Sequence, residues 1–325
     1  METLRDIGEF GLINRVARML PGNEAVVEGI GDDCAVLKIG GALALVSCDA
    51  SIEDVHFKRC LSAPEDIGWK AMTSAISDIA AMGGHPRFAL ITLACPAGTE
   101  TEFVDRLYHG FSTVATRFGV TIVGGDTAHS PSGIAVDIMV IGETVEGRYL
   151  LRSGAQQNDV LAVTGYPGRS AAGLLALERG LTACPLIPAH VFPVPRVEEG
   201  KWFAQQPSVH AMIDLSDGLV QDAGHIAERS GLGLDIDPER VPIAPELDAY
   251  QDTLGINPRD LALAGGEEYE LILALDPKHS DDIRQAFQDR FFMPLTVVGH
   301  FMEASHGVCV AGEPVSPKGF DHFRK

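Results

Sequence analysis

The sequence predicts an α/β (α+β) protein of two domains, on three observations. The chain has 325 residues, which at roughly 150 residues each suggests about two domains. Strand-like and helix-like patterns alternate through both halves. Between the halves, the turn chemistry of Val145-Glu146-Gly147-Arg148 interrupts two well-patterned regions. The expected domains are therefore residues 1–146 and 147–325. With 46% apolar and 22% charged residues, the chain has the composition of folded cores rather than of a disordered acidic chain.

In chain order, Leu12, Ile13, Val16, Ala17 and Leu20 recur at helical spacing, and Pro21-Gly22 stops that helix. Residues 43–47 read as a short strand. A helix follows over 66–82, with Trp69, Met72, Ile76 and Ile79 on one face and Gly83-Gly84 as terminator. Then come a strand at 88–94, a helix at 100–118, a strand at 120–123 and an alternating, half-buried strand at 134–144. In the second half, 159–163 is strand-like and 169–178 helical. Pro185, Pro188, Pro193 and Pro195 mark an irregular connection. A strand at 211–213, a helix at 219–229 and strands at 271–275, 295–298 and 308–310 complete the pattern.

Charge limits the partners. Asp and Glu number 45 against 25 Lys and Arg, a net charge of -20. Nucleic acid and anionic membranes require clustered Lys and Arg and are excluded as general partners. A phosphorylated small molecule is not excluded, because an acidic site can hold phosphates through divalent metals. The six cysteines contain no C-x-x-C pair, which argues for reduced thiols in a cytoplasmic protein. Glu2, Asp6 and Glu9 are wrong for a signal peptide, and no apolar run approaches the roughly 18 residues of a membrane helix. The P-loop, dinucleotide, zinc-protease and nucleophile-elbow signatures are all missing.

Instead, apolar strands run into aspartates beside small residues: at Ser47-Cys48-Asp49, at Gly124-Gly125-Asp126 and at Asp214-Leu215-Ser216-Asp217-Gly218. Gly31-Asp32-Asp33-Cys34 has the same flavour. Any one of these suits an ordinary turn. Four together point to a shared site for a hard cation such as Mg²⁺, which takes several oxygen ligands and shares itself with phosphates. Asp78, in the last turns of its helix, fits either a solvated surface or a nearby cation that offsets the unfavourable helix dipole. Gly265-Gly266-Glu267-Glu268-Tyr269-Glu270 fits a solvated approach to a strand as well as a ligand site. His56 either orients a phosphate or caps a loop.

These motifs, in this order and over nearly the whole length, resemble the thiamine-monophosphate kinase family of the aminoimidazole ribonucleotide synthetase-like superfamily. The match includes Val55-His56-Phe57, Ser77-Asp78-Ile79-Ala80-Ala81-Met82-Gly83, Arg152-Ser153-Gly154-Ala155 and Gly319-Phe320-Asp321-His322-Phe323. The resemblance implies transfer of the ATP γ-phosphoryl group to thiamine monophosphate. It implies several Mg²⁺ ions on Asp33, Ser47, Asp49, Asp78, Asp126, Asp214 and Asp217. ATP would meet Gly125, Asp126, Arg152, Ser216 and Tyr108, and thiamine phosphate would meet His56, Glu267 and Phe320. It further implies a homodimer whose N-terminal sheets form a barrel across the two chains, with a C-terminal α/β domain in each.

The acceptor is a phosphate monoester with a second pKa of about 6, already anionic at neutral pH. A general base is thus unnecessary and none is predicted. Departures from the family pattern are Ala75, Ile76, Cys48, Asp54, Glu268 and Phe192. Related synthetases would share the metal aspartates, but selenophosphate synthetases carry a reactive Cys or selenocysteine with a Lys near the N-terminus. No Cys or Lys precedes Cys34 here. A nucleotide-binding regulatory module without turnover is the remaining alternative.

Overall fold

The computed structural model describes residues 2–316 and 319–323. The first half comprises α1 (Leu4–Ala17), β1 (Val26–Glu28), β2 (Ala35–Ile39), β3 (Ala42–Ile52), α2 (Pro64–Ala81), β4 (His85–Cys95), α3 (Thr101–Arg117), β5 (Thr121–His129) and β6 (Ala135–Glu143). Its strands form one sheet in the order β1-β2-β3-β6-β4-β5. All neighbours are antiparallel except β4 and β5, the pair joined through α3. A parallel pair needs such a crossover.

The second half comprises β7 (Val160–Thr164), α4 (Arg169–Glu178), α5 (Ile187–Val191), α6 (Val197–Phe203), β8 (Val209–Asp214), α7 (Leu219–Ser230) and β9 (Leu232–Ile236). It continues with α8 (Pro245–Leu254), α9 (Pro258–Ala264), β10 (Leu271–Leu275), α10 (Ser280–Phe291), β11 (Leu295–Glu303), β12 (Val308–Val310) and β13 (Glu313–Pro314). Seven strands pair in the order β13-β12-β9-β11-β7-β10-β8. The architecture is thus a two-domain α/β protein with two mixed sheets. No helix among the described residues is long and apolar enough to cross a membrane.

Helix α2 is the keystone. Pro64 supplies a preset φ at its start, and Gly83, at φ 70°, ends it in the left-handed region. The helix is buried on most sides, because one face covers the N-terminal sheet while another meets the second domain. There Trp69 Nε1 donates to the Pro193 carbonyl at 2.7 Å, and Ser77 Oγ donates to Asp214 at 2.6 Å. Ala81 packs in a core with Phe203, Met212 and Phe287. The two sheets are therefore held about one shared helix.

Two strand expectations require correction. Of the aspartates expected at strand ends, only Asp214 sits at one. Asp49 lies inside β3, whose pairing with β6 runs on to Ile52. Asp126 lies inside β5, which continues to His129 on backbone bonds to β4. Gly125 is required there, since a Cβ would come within 1.8 Å of the Ile91 carbonyl oxygen.

Candidate functional site

Three elements converge on one carboxylate cluster. Asp214 ends β8, Asp78 sits in the last turn of α2, and Asp33 lies in the loop between β1 and β2. Each offers an oxygen within 4.8 Å of the other two. Hydroxyls from two elements orient them: Ser77 Oγ donates to Asp214 at 2.6 Å, and Ser47 donates to Asp78. Beside the cluster, Ser74 donates to Asp49. The positive charge at this end comes from Arg152, whose Nη2 and Nε donate to Asp33 Oδ1 at 2.7 and 3.2 Å. Its backbone N–H donates to Asp32 at 3.0 Å.

Three carboxylates facing one guanidinium leave negative charge uncompensated. Burial, then repulsion from Asp33, pushes Asp32 and Asp214 each up to about 7. Burial, then Asp214, Asp49 and Asp33, raises Asp78 well above the usual carboxylate range. Asp217 is pushed up to about 6 by burial first and then by Glu9. Burial also raises Asp49. Asp33 Oδ2 is buried without a hydrogen-bond partner. A hard divalent cation fits this donor set, since it would satisfy the orphaned oxygen and offset the repulsion.

The carboxylates border two cavities. A cavity of about 520 Å³ is lined by His56, Glu267 and Phe320, and a second of about 910 Å³ by Asp33, Ser47 and Arg152. Asp49, Asp78, Ser216 and Asp217 line both. In the smaller cavity, the His56 ring lies 6.3 Å from that of Phe320. The tail carrying Phe320 is pinned by Gln221, which accepts from the Gly319 N–H at 2.8 Å and donates to the Phe320 carbonyl at 2.9 Å.

Two loops fix the floor between the cavities. The backbone N–H groups of Ser216, Asp217 and Gly218 all donate to the buried Asp222 carboxylate, at 3.0, 3.0 and 3.1 Å. Opposite them, Glu267 N–H donates to the Ser216 carbonyl at 2.7 Å, and Tyr269 N–H to Leu215 at 2.9 Å. This zipper requires Gly266, where a Cβ would meet the Ser216 carbonyl oxygen at 2.3 Å. It also holds Glu267 and Tyr269 at φ 59° and 54°, a conformation costly for residues with side chains.

Eleven of the residues implied by the resemblance thus meet around these cavities: Asp33, Ser47, Asp49, Asp78, Asp214, Asp217, Arg152, Ser216, His56, Glu267 and Phe320. Three do not. Gly125 and Asp126 are exposed on β5, three strands from β3 across the sheet. Asp126 lies in register with Thr92 and Asp137, on the face opposite α2. Tyr108, in α3, packs edge-on against Phe111.

Asp32 stands in one of the four aspartate clusters without an assigned role, and Lys70, Ser74, Ser77, His190 and Asp222 are absent from the sequence-derived set of site residues. Lys70, Ser74, Ser77 and Asp78 fall at helical spacing along α2, and that polar stripe in an apolar helix is the signal that would have found them. Among the departures, Asp54 takes φ 64°, the left-handed region that glycine enters most freely and Asp more readily than most other residues. Cys48 points to the face opposite Asp49, and its Sγ donates to Asp137 at 2.9 Å. Phe192 packs edge-on against Trp69, Ala75 is fully buried, and Glu268 accepts from the Ser170 N–H at 2.8 Å.

Both halves match known family descriptions. Residues 31–144 match "AIR synthase related protein, N-terminal domain", and 156–311 match "AIR synthase related protein, C-terminal domain". A thiamine-monophosphate kinase of Aquifex aeolicus (strain VF5) is 37% identical over 325 residues, covering 98% of this chain and 99% of that protein. The Bacillus subtilis (strain 168) thiamine-monophosphate kinase is 34% identical, with 97% and 99% covered. The solved structure of AaThiL complexed with AMPPCP and TMP superposes with a TM-score of 0.87 at 34% identity, covering 99% of each chain. Matched in both halves and along its whole length, this chain belongs to the thiamine-monophosphate kinase family.

Proposed function

We propose that this chain transfers the γ-phosphoryl group of ATP to thiamine monophosphate, giving thiamine diphosphate and ADP. The observation that carries the reading is a carboxylate cluster shared by two cavities. Donor and acceptor phosphates entering from opposite sides would meet there. The 34%-identical structure holding AMPPCP and TMP supports the same pairing of ligands.

In this reading the larger cavity takes the nucleotide and the smaller takes thiamine monophosphate. His56 and Glu267 then meet the acceptor's polar groups, and Phe320 stacks on its ring system. An acceptor phosphate oxygen attacks Pγ as the bond from Pγ to the ADP oxygen breaks. The attacking oxygen carries no proton that a base must remove. Asp33, Asp49, Asp78, Asp214 and Asp217, with Ser47, are the proposed holders of Mg²⁺, and Asp126 joins them from elsewhere. When bound, those ions would neutralise the two polyanions and align them in line. Arg152 and Asp33 neutralise one another at the cluster's edge, and a nucleotide phosphate with its cation offers each a new partner of opposite sign.

The proposal includes a homodimer. The face of the N-terminal sheet away from α2 exposes Phe88, Val123 and Met139, an apolar patch suited to a second copy's sheet closing a barrel. A two-chain site would also account for Asp126, Gly125 and Tyr108 lying apart from the rest. A cytoplasmic location agrees with six cysteines that form no disulfide.

Incubation with ATP, Mg²⁺ and thiamine monophosphate should produce thiamine diphosphate, detected as fluorescent thiochrome. Consumption of another phosphate acceptor without that product would refute the assignment. Direct transfer further predicts inversion at a chirally labelled γ-phosphorus, whereas a phosphoenzyme route would retain configuration.

A further inference from the structure

Behind the wall of the smaller cavity, a lysine joins the groups expected to meet the acceptor: His56, His190 and Glu267 line the cavity, and Lys70 contacts all three. Lys70, on α2, is only 8% exposed. Its ammonium has three donors and three acceptors around it. These are Glu267 Oε1 at 2.7 Å, the His56 carbonyl oxygen at 2.9 Å and His190 Nε2 at 3.5 Å. His190 completes the arrangement. Burial first, then the neighbouring Lys70 charge, pushes its imidazole down to about 4. The neutral ring accepts at Nε2 and presents Nδ1–H to Ser170 Oγ at 3.2 Å, with Glu267 Oε2 3.6 Å from the same nitrogen.

Burying an ammonium and a carboxylate together is a weak source of stability, because desolvation offsets their attraction. It is a strong source of geometry. With every donor engaged, Lys70 cannot turn to a ligand without releasing a wall of the cavity. Glu267, 30% exposed at its side chain, keeps one side toward the cavity while its other side is held. The backbone already sets Glu267 at φ 59°, so the clamp and the zipper to Ser216 together specify where its carboxylate stands.

Resting on the acceptor reading of this cavity, we propose that Lys70 is a positioning residue. Its ammonium ties the Glu267 carboxylate to the His56 loop and so sets the seat of thiamine monophosphate. Lys70→Met in the full chain is expected to raise KM for thiamine monophosphate about tenfold or more, the loss of one charge-assisted hydrogen bond. KM for ATP and kcat should stay within about twofold. An unchanged KM for thiamine monophosphate, or an equal rise in both KM values, overturns the proposal.

Action through Glu267 is read from a double variant. Lys70→Met combined with Glu267→Gln should show the thiamine monophosphate KM of Glu267→Gln alone. A further multiplied rise sinks the idea. Should Lys70→Met alone fail to fold, the double variant, which removes both charges, supports the same comparison. If the wild-type chain does not phosphorylate thiamine monophosphate, the functional reading falls. The clamp is then judged from the crystal structure of the double variant's parent sequence carrying Lys70→Arg. Glu267 and the His56 loop still joined supports it, and both unmoved without contact to residue 70 overturns it.

Discussion

At the scale of the residue, Asp49 and Asp214 do different work. Asp49 stands on β3 between the two cavities, held by Ser74. Asp49→Asn preserves shape and hydrogen bonding while removing the charge. Turnover should fall by about 100-fold or more with the melting temperature close to wild type. Near-normal activity would remove Asp49 from the proposed metal ligands. Asp214 and Asp217 shift upward to about 7 and 6. The folded chain therefore binds protons that the unfolded chain has released, and this contribution to stability is lost as pH rises from about 4 through 7. A cation must displace those protons at low pH but not at high pH. The rise in melting temperature on adding Mg²⁺ to chelator-treated protein should thus be several-fold larger at pH 8 than at pH 5. His190 and His225, both pushed down to about 4 chiefly by burial, titrate with the opposite sign and largely cancel in that difference. Equal shifts at both pH values would take the cluster out of cation binding.

At the scale of the element, the loop over Gly265–Tyr269 matters most. Gly266→Ala places a Cβ 2.3 Å from the Ser216 carbonyl oxygen, which cannot relax without opening the zipper. We expect a loss of about 2 kcal/mol or more in stability and a lower kcat, measured by denaturant melts and steady-state kinetics. Unaltered values for both would mean that the zipper is slack. The elements themselves were legible in proportion to how far each announces itself. The apolar run of β10 and the amphipathic α3 and α7 lie within a residue or two of expectation. By contrast, β9 reads Leu-Gly-Leu-Asp-Ile and becomes a strand only because β11 and β12 pair on either side of it. Helix α10 buries only Ser280, Ile283 and Phe287, too thin a stripe to stand out among its charges. The proline-marked connection hides α5, which has a proline in its first turn, and α6, which Pro195 precedes just before its cap Arg196. In the site, aspartates beside glycines were legible. Lys70, Ser74 and Ser77 were not, because the apolar face of α2 dominates its pattern.

At the scale of the whole molecule, the face to which a residue points depends on parity along a strand. Parity in β5 is reset by the bulge at Val123, where Ala89 pairs with Ile122 but Leu90 with Gly124. No inspection of residue order locates that slip, so Asp126 looked like a neighbour of Asp49 when it stands on the other face of the sheet. If each site borrows Asp126 from a second chain, damage to the two kinds of ligand becomes separable. Two inactive variants, Asp126→Asn and Asp214→Asn, should then complement each other when mixed after dissociation or co-expressed. One mixed dimer carries one intact site and one doubly damaged site, so random pairing restores about a quarter of wild-type activity. Complete failure to complement would return Asp126 to its own chain's site or remove it from catalysis. The remote aspartate thus carries a genetic consequence: alleles lethal to a molecule alone can be viable in company.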